Sequence, residues 1–124
     1  MALDSENPDT AYRLGRLFAA LEKTQEDALP GINSTIREHF YSSASATPRA
    51  VFPRLLRTYQ YHLAKLDGGR KTNRERLVQN IVLPLSEFPT HLNLAGQSQF
   101  ALGYYHQRQD FFTKKSHSST RAQI

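Results

Sequence analysis

The sequence predicts an all-α fold, a single-domain bundle of about five helices, and three observations carry that prediction. Apolar residues recur at spacings of three and four along most of the chain, the mark of a helix face turned toward a core. Capping residues, prolines and glycines divide these runs into segments of helical length. No segment alternates apolar and polar residues between hairpin turns, so no strand is predicted. At 124 residues, with seven Phe and six Tyr to fill it, the chain suits one core and one domain.

The first helix is expected at about 8–28. Asn7-Pro8 supplies a cap followed by proline at the first helical position, and Ala11, Leu14, Leu17, Phe18, Leu21 and Ala28 share a face until Leu29-Pro30-Gly31 ends the run. Asn33 is placed to cap a shorter second helix bearing Ile36 and Phe40, followed by a small polar linker, SSASAT, at 42–47. Thr47-Pro48 repeats the cap-then-proline signal and opens a third helix to about Leu66, stopped by DGG at 67–69. Pro53 lies inside it and is expected to tighten or kink its first turns. TNRE at 72–75 has the capping-box pattern, Thr72 with Glu75 three residues on, ahead of Leu77, Val78 and Ile81. Pro84 and Pro89 break that fourth helix. Asn93 caps the last one, about 94–114, so the bundle is expected to occupy 1–115 with a flexible tail at 116–124.

Composition removes several classes of function. The chain has no cysteine, which excludes disulfide frameworks, thiolate metal sites and thiol nucleophiles and fits a cytoplasmic protein. MALDSENPDT at the start lacks a basic segment followed by an apolar one, and no apolar run approaches the ~18 residues of a membrane span. Neither export nor membrane insertion is expected. The five histidines stand at 39, 62, 91, 106 and 117, without the close HxxxH or HxH spacing that sets two imidazoles on one metal. His106 and Asp110 are four apart, also the ordinary spacing of a hydrogen bond on a helix face. With no glycine-rich phosphate loop, GxSxG elbow or acidic metal cluster beside them, the expectation is no catalysis, no metal, no cofactor and no small-molecule substrate.

What the composition favours is a polyanionic partner. Net charge is +5, unevenly spread: residues 1–38 hold four Lys/Arg against seven Asp/Glu, and residues 39–124 twelve against four. Each Lys or Arg set on a phosphate releases condensed counterions, so nucleic acid is expected to meet the basic part. In the third helix Val51, Leu55, Tyr59, His62, Leu63 and Leu66 gather on one side, while Arg54, Arg57, Tyr61 and Lys65 line the other. A solvated face usually mixes charge signs into i, i+4 pairs, yet no acidic residue lies between Arg49 and Lys65. The spacing favours a phosphate-tracking stripe with an aromatic in it over a merely solvated face. His62, on the apolar arc, is expected at the core's edge.

GGRKTNRER at 68–76 adds Arg70, Lys71, Arg74 and Arg76 in a glycine-containing turn and the first turn of a helix, whose free N–H groups already attract anions. Arg74 shares a face with Leu77 and Ile81, so it either joins these phosphate contacts or lies along the core's edge. Lys114 and Lys115 complete the candidate nucleic-acid-binding set. FALGYYHQRQDFF at 100–112 is assigned mainly to packing. On a helical wheel Phe100, Ala101, Tyr104, Tyr105, Phe111 and Phe112 share one broad face, with Gln99, Gly103, His106 and Asp110 on the other. Arg108, in the middle of the rings, is expected to lie against them and to pair with a carboxylate from another helix.

AYRLGRLFAALEKTQEDA (11–28), SATPRAVFPRLLR (45–57), HLAKL (62–66) and FALGYYHQRQDFFTKK (100–115) together resemble the C-terminal region of the large subunit of type I-C CRISPR Cascade complexes. In that family the region is also made as a separate polypeptide, the small subunit, by internal translation initiation. The resemblance covers nearly all of 8–115. It implies a non-catalytic helical subunit of a crRNA-guided surveillance complex, lying beside the backbone subunits, the large subunit and other small-subunit copies. It also implies contact with the R-loop formed by crRNA and target DNA, chiefly the displaced non-target strand. R-loop formation is close to energetic balance, so modest backbone contacts tip it. The part of the large subunit that recognises the protospacer-adjacent motif has no counterpart in this sequence, so no reading of that motif is expected. A structural adaptor, bridging backbone and large subunits without touching DNA, is the alternative.

Overall fold

One helix, α1 (Thr10–Ala28), touches all four others: α2 (Ile36–Ala46), α3 (Pro48–Leu63), α4 (Gly68–Val82) and α5 (Leu94–Ala122). The structure is a computed structural model that describes the backbone of residues 3–122 and the side chains of residues 3–113, and no strand occurs among the described residues. The all-α class and the five helices agree with the expectation from sequence.

α1 is buried on nearly every side. Leu14, Leu17, Phe18 and Leu21 form the expected apolar face, and Gly15, Arg16, Ala19, Ala20, Glu22 and Thr24 are buried as well. Small residues on the second face let another helix come close. α5 does so, with Gly15 against the Phe100 carbonyl and Gly103 against the Tyr12 carbonyl; a Cβ on either glycine would collide with backbone. Phe18 is the centre of the core, its ring 5.6 Å from Tyr41, 6.0 Å from Phe100 and 5.8 Å from Tyr104, mostly in the edge-to-face or tilted arrangements that aromatic quadrupoles prefer.

Several boundaries differ from the sequence pattern for identifiable reasons. The cap of α1 is Asp9, whose carboxylate accepts from Tyr12 N at 3.0 Å. Asn7 instead accepts from Asp9 N at 2.9 Å, a local turn upstream of the helix. Thr35, not Asn33, caps α2, accepting from Arg37 N at 3.3 Å. SSASAT is not a linker: its first five residues are the last turns of α2, where Ala44 and Ser45 are buried, because small side chains suit a helix that must pack closely. α3 opens at Pro48 as expected and contains Pro53, but it ends at Leu63, and a short turn carries the chain through buried Leu66 to Asp67. α4 starts at Gly68 with Asp67 as cap residue, so Thr72 is inside the helix, its hydroxyl donating to the Gly68 carbonyl at 3.3 Å, and there is no Thr72–Glu75 capping box. Asn93 does cap α5, accepting from Gly96 N at 2.8 Å.

Between α4 and α5 the chain forms an irregular strap over the α2–α3 junction. Phe88 stacks on Phe52 at 5.5 Å, Leu92 N donates to the Ala46 carbonyl at 3.0 Å, and Arg49 binds the strap three times. Its backbone N–H donates to Pro89 O at 3.0 Å, its Nε to Phe88 O at 3.1 Å, and its guanidinium pairs with Glu87 at 3.5 Å.

On α5 the buried seam is narrower and turned from the predicted one. Phe100, Gly103, Tyr104 and Gln107 are buried, while Tyr105 and Phe112 are 52% and 50% exposed. The reversal at Gly103 follows from the close α1 crossing, which needs a glycine facing inward. α5 is helical to Ala122, beyond the boundary expected at 114. The side chains of the expected tail at 116–124 lie outside the described residues.

Candidate nucleic-acid interface

α3 divides as its periodicity predicts. Val51, Leu55, Tyr59 and Leu63 are buried and His62 is half-buried. Burial, together with the charge of Glu75, pushes the Tyr59 hydroxyl up to about 12; burial and the nearby Lys65 charge push His62 down. On the opposite side Arg54 and Arg57 are exposed and Tyr61 is 76% exposed, while Lys65, also exposed, falls in the turn after the helix and not on α3 itself, which ends at Leu63. Among the described residues none of these cations takes part in an ion pair. Their charge is therefore available to solvent and to a ligand.

The α4 cations do not form one set. Arg70, Lys71 and Arg76 are exposed, although Arg70 comes within 3.7 Å of Asp27. Arg74 is engaged internally: it donates to Thr24 Oγ1 and to Asp27 Oδ2, both at 2.9 Å, and its guanidinium lies 5.3 Å from the Phe111 ring. Of the two placements open to Arg74, the structure has the one along the core's edge. Burial alone would raise the Asp27 carboxyl, but the bond from Arg74 and the charge of Lys23, 3.2 Å away, outweigh it and hold Asp27 below its ordinary value. The side chains of Lys114 and Lys115 lie outside the described residues.

Two grooves flank α4. The one toward α3 is lined by Leu56, Tyr59, Leu63, Val78 and Val82 and has no Lys or Arg in its lining. The one toward α5 has two adjoining stretches of about 450 and 660 Å³ that share Leu77 and Asn80. Arg70, Arg74 and Arg76 border the first stretch, and Arg13 and Arg16 of α1 border the second. No residue of the α3 stripe lines this groove. Arg13 and Arg16 escape the sequence pattern because they sit in the net acidic part of the chain, in no basic run.

The aromatic stretch of α5 is organised around a buried carboxylate. Glu22, 2% exposed, accepts from the Tyr104 hydroxyl at 2.6 Å and from Arg108 Nη1 at 2.8 Å. Arg108 also lies 5.6 Å from the Phe112 ring, so the expected carboxylate partner and ring contact are both present. Burial first, then the bond to Glu22, drive the Tyr104 hydroxyl far up. His106 Nδ1 is 2.7 Å from the Tyr12 hydroxyl, which also accepts from Asp4 N at 3.0 Å. Among the described residues no three His, Asp or Glu side chains converge as metal ligands, and no helix is long and apolar enough to cross a membrane.

Comparison with known proteins gives the geometry a family. No curated protein sequence matches the chain. A family model described as CRISPR-associated protein (Cas_Csd1) matches residues 1–112. That span takes in the glycine crossing of α1 and α5, the α3 stripe and the basic start of α4. The chain therefore belongs to this CRISPR-associated family.

Proposed function

We propose that the chain is a non-catalytic small subunit of a crRNA-guided type I-C CRISPR surveillance complex, stabilising the R-loop through sequence-nonspecific contacts to DNA, chiefly the displaced non-target strand. The observation that carries this function is the α3 stripe, in which Arg54 and Arg57, with Lys65 in the turn just after the helix, are exposed and, among the described residues, in no ion pair, beside the solvent-facing Tyr61. Exposed cations along one side of a helix and the turn after it meet successive phosphates, and an exposed ring gives one base a stacking surface; neither reads sequence. Arg70, Lys71 and Arg76 extend the positive surface onto α4, while Arg74 steadies the helix that carries them. Its partners would be the backbone subunits, the large subunit and further copies of this chain in the cytoplasm.

A second function, an adaptor that docks on protein and touches no DNA, draws on the outer side of α5. There Leu94 (82% exposed), Leu102, Tyr105 and Phe112 are all exposed. Crosslinking in the assembled complex separates the two. Photoreactive bases in the non-target strand are expected to form adducts with peptides of α3. Adducts confined to protein partners or crRNA would establish the adaptor instead.

A further inference from the structure

The α4–α5 groove holds an unusual electrostatic arrangement at its α1 side. Arg16 is only 4% exposed, and its Nε donates to the buried Gln107 Oε1 at 3.0 Å. The Nε of neighbouring Arg13 is buried with no hydrogen-bond partner among the described residues. Neither arginine takes part in an ion pair among the described residues. Burial, and then the charge of Arg13, lower the pKa of Arg16, against smaller opposing effects of Tyr12, Asp110 and Asp4. Two guanidinium charges set side by side in a partly dry site, one with an unused donor, are costly unless something anionic meets them. A water supplies an acceptor but no charge.

We propose that this groove binds the backbone phosphates of a single nucleic-acid strand, with Arg13 and Arg16 as inner anion contacts and Arg70 and Arg76 along its α4 wall. The guanidinium fork suits phosphate oxygens better than any other side chain does. Five arginines line the two stretches of the groove, against Glu6 and Asp110, so its field favours a polyanion even with Arg74 neutralised by Asp27. From Arg70 to Asn80 the α4 wall runs about 15 Å at the helical rise of 1.5 Å per residue, room for more than one phosphate. Among the described residues the backbones of α4 and α5 each come close to α1 but not to one another, and only side chains such as Arg74 and Phe111 meet across the channel, which leaves the rest of it open. The proposal rests on the nucleic-acid function above and adds a contact surface separate from the α3 stripe.

The test is fluorescence anisotropy with a labelled oligothymidylate strand at several salt concentrations, on the full chain and three variants: Arg13→Gln, Arg76→Ala, and the α3 triple variant Arg54→Ala/Arg57→Ala/Lys65→Ala. Arg13→Gln and Arg76→Ala should each weaken binding about threefold or more at low salt. Each should also reduce the slope of log affinity against log salt by about 0.7, the value for one phosphate contact on a single strand. Arg76 is exposed, so its variant keeps the test valid if Arg13→Gln fails to fold. The side-chain Nε–H resonance of Arg13 should move when the oligonucleotide is added, and not with poly-glutamate or inorganic phosphate. Unchanged affinity and slope in both groove variants, with loss in the α3 triple variant, would overturn the groove and leave the nucleic-acid function standing. No change in any of the three would remove both. A resonance that follows poly-glutamate equally would assign the groove to an acidic protein segment, and one that follows only inorganic phosphate would assign it to a free anion.

Discussion

Gly15 of α1 and Gly103 of α5 form a reciprocal contact, each lying against a backbone carbonyl of the other's helix. Neither obstacle is the movable end of a side chain, so an added methyl must push the helices apart. Gly103→Ala gains about 1 kcal/mol of helix propensity but incurs an overpacking cost of about 1–3 kcal/mol or more. The carbonyl has nowhere to go, so the upper part of that range applies, with a net loss of about 1–2 kcal/mol for Gly103→Ala and likewise for Gly15→Ala. Urea unfolding followed by circular dichroism measures it; an unchanged or raised midpoint would contradict the close crossing.

Glu22 ties α1 to two other helices through one carboxylate: to Tyr104 and Arg108 of α5, and to the Thr35 hydroxyl ahead of α2 at 3.3 Å. Removing one partner of a fully buried ion pair costs about 3–5 kcal/mol. Arg108 keeps partial access to water, so Glu22→Gln is expected to cost less, roughly 2–3 kcal/mol, and Tyr104→Phe about 1 kcal/mol. The double variant Glu22→Gln/Arg108→Met should be less destabilised than the sum of the single changes, since it leaves no buried unpaired charge and Glu26, the weaker partner of Arg108 at 3.8 Å, keeps access to water. Strict additivity in denaturant melts would show that the pair is not coupled.

Asp27 gives the fold a dependence on acid. Its carboxyl is held below its unfolded value of 3.8, so the folded state binds its proton less readily than the unfolded state does. The stability it contributes is fully present above pH 4 and is lost as pH falls through the lowered value. Asp27→Asn should therefore lower stability at neutral pH and flatten the decline between about pH 4 and pH 2. Thermal melts across that range test the sign, and a parallel acid decline in both proteins would show that other carboxylates dominate.

The α3 stripe should separate binding from folding. Arg54→Ala/Arg57→Ala/Lys65→Ala removes three exposed cations, so the single-strand salt slope should fall by about 2, while stability should change by no more than about 0.5 kcal/mol per site. Tyr61→Ala should cost about 1–3 kcal/mol of binding, the worth of one stacked base, without changing the slope. A triple variant that unfolds would mean that the stripe is structural.

The parts legible in the sequence are those where local chemistry and packing agree. Pro48, Asn93 and the two sides of α3 are legible because proline, cap and periodicity are short-range signals, whereas Thr47, expected as a cap, makes no side-chain cap and donates its hydroxyl back to the Ser43 carbonyl. The SSASAT turns of α2 are not legible locally, because small polar residues favour loops by propensity and only the burial of Ala44 and Ser45 makes them helical. The inward side of Gly103 is hidden from a helical wheel because a glycine has no hydropathy to place it; its position depends on Tyr12, some ninety residues earlier in the chain. Arg13 and Arg16 carry no local signal either. What singles them out is α5 and α4 standing on either side of α1, which no window of sequence contains.

The position of α1 at the centre also bears on how the protein is made. Its partners in α5 lie 82 to 94 residues away, as in Glu22 with Tyr104 and Tyr12 with His106. During synthesis α1 emerges long before α5, and although α2, α3 and α4 also pack on it, the side of α1 that meets α5 stays uncovered until α5 leaves the ribosome. Contacts of such long sequence separation slow folding and lengthen the exposure of sticky intermediates. Stalled or truncated chains that stop short of α5 should therefore aggregate or engage chaperones, even though they contain four of the five helices.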